Sequence, residues 1–78
     1  SLAEGDLETL IRVGWAEALD EKGDRDAARA AIGTARQRVL ACGGKIRDES
    51  LRERFLLMPE NARTLDLAKA WGVYYPRG

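Results

Sequence analysis

The chain has 78 residues, a mass of 8.6 kDa, one cysteine, no histidine, and 13 basic against 13 acidic side chains. That length admits one small domain, which hides only about 60% of the surface its unfolded form exposes. A lone cysteine excludes an internal disulfide, the lack of histidine excludes the usual zinc sites, and no apolar run approaches the roughly 18 residues of a membrane span. A reducing, cytoplasmic setting is the simplest expectation, and there is no secretory apolar region near the start. The chain opens Ser1-Leu2 rather than with Met, which reads as a piece excised from a longer protein. Twelve Ala, and ten Arg against three Lys, are the usage associated with GC-rich bacterial genomes.

In chain order, Asp6 is placed to cap a first helix running to about Lys22, with Gly23 as its stop. Leu7, Leu10, Ile11, Val13, Trp15, Ala16, Ala18 and Leu19 give it an apolar arc too wide for a helix with one covered side. Asp24 is the natural cap of a second helix reaching about Cys42, on which Ala28, Ala31, Ile32, Ala35, Val39 and Cys42 recur at steps of three and four. Gly43-Gly44 then predicts a left-handed end and a bend. Asp48-Glu49-Ser50 opens a third helix that carries Leu51, Phe55 and Leu56 inward and ends near Met58, because Pro59 disfavours helix at the residue before it. Pro59 or Asn61 starts a fourth helix through Ala62, Leu65, Leu67, Ala68 and Trp71, stopped by Gly72. Nothing alternates with a period of two, so the class is all-α: four helices in two antiparallel hairpins.

The charges are uneven. Residues 1–24 hold seven acids and two bases, and residues 25–54 hold eight bases and four acids. Neighbouring helices of opposite sign attract, while the balanced total argues against a dedicated nucleic-acid binder. Ser1, Ser50 and Cys42 are the conventional nucleophile candidates, but no His is present to serve as their base. Cys42 reads as a small core residue continuing an apolar stripe. Gly43-Gly44-Lys45 lacks the upstream Gly and the following Ser/Thr of a phosphate loop. Asp20, Glu21, Asp24 and Asp26 lack the glycine-punctuated spacing of a calcium loop and read as caps and solvated acids. No catalytic, cofactor-binding or metal-ligating residue is therefore expected, and no cofactor.

Residues 9–42 make a 34-residue unit with Trp15, Ala16 and Leu19 on its first helix and Ala28, Ile32 and Ala35 on its second. This resembles the tetratricopeptide repeat. Arg12 stands where that family prefers Trp or Leu, Leu19 and Ile32 stand where it prefers aromatics, and the closing Pro is absent. Residues 43–78 match as a degenerate terminal repeat and cap, so that 1–78 is a single helical-repeat fragment. The run Leu51-Arg52-Glu53-Arg54-Phe55-Leu56-Leu57-Met58-Pro59-Glu60-Asn61-Ala62-Arg63 is similar to the closing segment of repeat arrays in large bacterial signalling proteins, where an array follows a serine/threonine kinase, an ATPase or a cyclase module. The resemblance implies a non-catalytic interaction or scaffold role, with a protein or peptide, or a neighbouring domain of the same chain, as partner. The alternative lies in Leu67-Ala68-Lys69-Ala70-Trp71-Gly72-Val73, which resembles the first helix and turn of helix-turn-helix modules. That reading implies DNA binding in a longer parent, since the five residues after Val73 are too few for a recognition helix.

Three surfaces follow from these readings. Arg25, Arg29 and Arg36 lie along one side of the second helix, where they either pair with the acidic first helix or line a groove for an acidic peptide. Trp71, Tyr74 and Tyr75 form the densest aromatic cluster, as a cap on the last hairpin or an anchor for a partner. Leu10, Ile11, Val13 and Trp15 are the expected face of a twofold dimer, formed by docking or by exchanging a hairpin at Gly43-Gly44.

Overall fold

The computed structural model describes the backbone of residues 2–73 and the side chains of residues 8–73. Four helices occupy this span: α1 (Leu2–Glu21), α2 (Arg25–Gly44), α3 (Glu49–Leu57) and α4 (Pro59–Ala70). No strand occurs among the described residues. The fold is all-α, as the absence of alternation predicts.

The first helix begins at Leu2, so Asp6 stands inside it and is not its cap. Its end follows the sequence closely. The Gly23 N–H donates to Asp20 O at 3.0 Å and the Asp24 N–H to Leu19 O at 3.0 Å, with Gly23 at φ 90°. This paired closure uses carbonyls that the helix end would otherwise leave unmet. A Cβ at Gly23 would meet nothing within 4 Å. Gly23→Ala is therefore expected to cost about 1–2 kcal/mol, wholly from forcing an L-residue into the left-handed region. Chemical denaturation checks this, and an unchanged midpoint would contradict it.

Asp24 caps α2, its Oδ1 accepting from Ala27 N–H at 3.3 Å. Against the expectation of a bend, α2 runs through Gly43 and Gly44, and positive φ occurs among the described residues only at Gly23 and Gly72. Gly43 serves a different need. It is buried, and a Cβ there would lie 3.3 Å from Leu56 Cδ2 and 3.5 Å from the Phe55 ring. The missing side chain admits α3. For the same reason Cys42 is exposed and not core. In the last turn of α2 the covered position passes to Gly43.

Asp48 caps α3, accepting from Leu51 N–H at 3.0 Å. The loop before it is tied down by Arg52, whose Nε and Nη2 donate to Ile46 O at 3.1 and 2.8 Å. No residue of α3 is fully buried. Phe55 and Leu56 are half-covered against α2, while Leu51, expected inside, is 53% exposed. The chain turns sharply at Met58 (ψ 139°) ahead of Pro59, which begins α4 where its missing N–H costs nothing. Asn61 secures the corner, with Nδ2 donating to Phe55 O at 2.7 Å. Gly72 at φ 78° closes α4 as Gly23 closes α1, with Gly72 N–H to Lys69 O at 3.1 Å and Val73 N–H to Ala68 O at 2.7 Å.

Helices α1 and α2 pair along their length, with Ala28, Ala35 and Val39 buried in or beside the seam. Helix α4 packs on both of them, and α3 packs on α2 and α4. The core sits where three helices meet: Val13, Ala16, Ile32 and Ala68, with Ala31, Leu67, Trp71 and Val73 partly buried around them. The inner face of α4 is Asn61, Thr64 and Ala68, and Thr64 satisfies its hydroxyl on Glu60 O at 2.8 Å. The molecule measures 39 × 30 × 14 Å between Cα extremes. The smallest dimension is that of two helix layers about 8–10 Å apart.

Candidate partner-binding surfaces

The acidic first helix and the more basic remainder pair as their charges predict. Glu8 accepts from Arg12 Nη2 at 3.0 Å within α1 and from Arg38 Nη2 at 2.9 Å across to α2. Asp20 faces Arg25 at 3.7 Å, and Glu17 pairs with Arg63 of α4. All are at least partly exposed, and such pairs are worth well under 1 kcal/mol each.

Arg12 and then Arg38 hold the Glu8 carboxyl below its ordinary value of 4.5 through hydrogen bonds. A carboxylate depressed in the folded state contributes stability above its unfolded pKa and loses it as pH falls through the folded one. Glu8→Gln is expected to flatten the acid limb of the stability–pH curve below the unfolded pKa while leaving the neutral region nearly parallel to the parent. Melting series across pH test this, and an unchanged acid limb would contradict it.

Arg25, Arg29 and Arg36 do not share one cleft. Arg25 and Arg29 line a cleft of about 460 Å³ with Trp71, Ala28 and Ala70, but Asp20 and Asp26 line it too, so its charges balance. Arg36 lies two turns further along, half-buried and away from that cleft. Trp71 is half-buried against the core, with Leu67 and Val73 beside it, while Lys69, Ala70 and Gly72 of the same segment are exposed. Tyr74 and Tyr75 lie outside the described residues.

The proposed dimer face divides. Val13 is 2% exposed and belongs to the core, a correction that follows from helix geometry. Positions 13 and 16 point into the angle between α2 and α4. Leu10, Ile11 and Trp15 point away from it, at 56%, 62% and 62% exposure. Gly14 and Ala18 lie between them and are exposed as well. At 100° per residue these five positions cover about 140° of the α1 circumference without interruption. One edge of the arc borders a second cleft, about 190 Å³, lined by Arg12, Trp15, Ala31 and Thr34. Arg12 Nε is buried and without a hydrogen-bond partner, its head group turned toward Glu8 through Nη2.

Among the described residues no three acidic, Cys or His side chains converge as a metal site, and no helix is long and apolar enough to cross a membrane. No family model matches the chain, and no curated protein or solved structure matches it.

Proposed function

We propose that this chain is a non-catalytic interaction module, a scaffold or regulatory piece of a larger bacterial signalling protein, which docks through the outer arc of α1. The observation that carries the reading is the exposure of Leu10, Ile11 and Trp15 on one continuous arc. A domain with so small a core gains by burying such residues, and leaving three large apolar side chains in water is the mark of a surface that is covered in use. Trp15 is the natural anchor, since aromatic residues dominate the energetics of interfaces. The resemblance to helical repeats supports the same role, because a repeat helix presents one face to its neighbour.

Radical footprinting tests the reading in the intact protein inside its own cell. Trp15 is expected to be oxidised several-fold more slowly there than in the dilute isolated chain, while exposed Leu57 on α3 is labelled equally in both. Equal labelling of Trp15 in the two settings would overturn the proposal.

A further inference from the structure

The cleft of about 460 Å³ at the Gly23 end of the molecule holds opposite charges that do not meet. Its walls are Asp20 from the last turn of α1, Arg25, Asp26 and Arg29 from the start of α2, and Trp71 at the end of α4. Asp20 and Arg25 face each other at 3.7 Å. Asp26 and Arg29 stand three residues apart on α2, the spacing at which an acid and a base ordinarily pair. Neither side chain makes an ion pair or a hydrogen bond among the described residues. The reason lies at Gly72. Arg29 Nη2 is 3.7 Å from the point where a Cβ would stand on that glycine, so the guanidinium is drawn to the carbonyl end of α4 and away from Asp26. One wall is left with a cation and another with a carboxylate, and an indole lies beside them.

This lining selects a class of ligand by charge. A simple anion would gain from Arg29 but be opposed by Asp20 and Asp26, and a simple cation would meet the reverse. An uncharged apolar molecule would take water from the charged groups and return no hydrogen bond. The Asp20–Arg25 pair is met from within, so one cation and one anion remain to be answered. We infer that the cleft binds a small zwitterion, a free α-amino acid with an apolar side chain, its carboxylate on Arg29, its ammonium on Asp26 and its side chain against Trp71. The guanidinium fork suits a carboxylate, and the indole offers apolar surface to the side chain. The volume falls in the lower part of the range of about 300–1,000 Å³ for small-molecule sites. Asp26 and Arg29 are exposed, and exposed charge pairs are individually weak, so the binding is weak. The site is separate from the outer arc of α1 and does not depend on what docks there.

Nitrogen-15 spectra of the full 78-residue chain, titrated with L-leucine to roughly 20 mM, test this where a ligand of millimolar affinity saturates. The Trp71 indole N–H is expected to shift along a saturating curve, while the Trp15 indole N–H, outside the cleft, stays in place. N-acetyl-leucine lacks the cation and leucinamide lacks the anion, and each should bind at least ~fivefold more weakly. Asp26→Asn should bring N-acetyl-leucine level with leucine, and Arg29→Gln should do the same for leucinamide. A role of Arg29 confined to holding the end of α4 would lower the melting temperature without moving that selectivity. No saturating shift at Trp71 overturns the inference, as do equal shifts from all three compounds. Variants that weaken all three alike overturn it too, since the two charges would then not be the ones that read the ligand.

Discussion

Ile32→Ala is expected to lower the unfolding free energy by about 2–5 kcal/mol. Among the described residues Ile32 is the largest fully buried side chain, and it touches the point where α1, α2 and α4 converge. Its buried neighbours are Val13, Ala16 and Ala68, with Leu67, Trp71 and Val73 partly buried around them, and how far these close in sets where in that range the loss falls. A domain of this size has about 4–12 kcal/mol in total at 0.05–0.15 kcal/mol per residue, so the variant sits close to unfolding at ambient temperature. Urea denaturation with the slope held in view separates this loss from a change in the unfolded state. Ile11→Ala is the matched control. The same chemistry on the exposed arc should change monomer stability by no more than about 0.5 kcal/mol. Equal losses at the two positions would place Ile11 in the core and remove the exposed arc.

Asn61→Ala is expected to cost about 1–3 kcal/mol. The side chain is 1% exposed, and its amide bridges the α3–α4 corner to Phe55 O. Truncation removes the donor and leaves a hole at the α3–α4 corner. Asn61→Asp distinguishes the hydrogen bond from simple packing. An ionised carboxylate cannot donate to a carbonyl and is repelled by it, so this variant should be less stable than Asn61→Ala at neutral pH. Burial next to a carbonyl raises the folded-state pKa of such a group, so its stability is recovered below the unfolded pKa and lost as pH rises through the folded one. Melting curves at acid and neutral pH read this directly, and identical behaviour of the two variants would reduce Asn61 to a space filler.

The helix boundaries that depend on local chemistry were legible in the sequence. Asp24 and Asp48 cap as read, Gly23 and Gly72 take positive φ, and Pro59 separates α3 from α4. Features that depend on which neighbour arrives were not legible. Gly43-Gly44 looks the same whether the chain turns there or another helix presses against it, and only the position of Leu56 decides. The inner face of α4 escaped the hydrophobic pattern because Asn61 and Thr64 are polar, yet both bond to backbone carbonyls and so can be buried. On α1, apolar residues surround most of the helix. Thr9, Arg12, Glu17 and Asp20 fall on the same half of the helix as Val13 and Ala16, so polarity does not mark the exterior, and Val13 is core while Trp15 is exposed. The exposed site is hidden in the sequence for the reason that makes it a site.

The 14 Å thickness of the molecule has a thermodynamic consequence. In a slab two helices deep, a single seam carries the interior, and every residue in it is one side chain from water. Lengthening the helices extends that seam without deepening it, so only a third layer adds a second interior. Stability is then linked to concentration: a species that binds the folded slab and not the open chain stabilises it by RT ln(1 + [L]/Kd), about 2.7 kcal/mol at a hundredfold excess over Kd. That increment is comparable to the loss expected for Ile32→Ala. The folded population of this chain is accordingly a readout of what surrounds it, and its apparent melting temperature should climb with occupancy of α1.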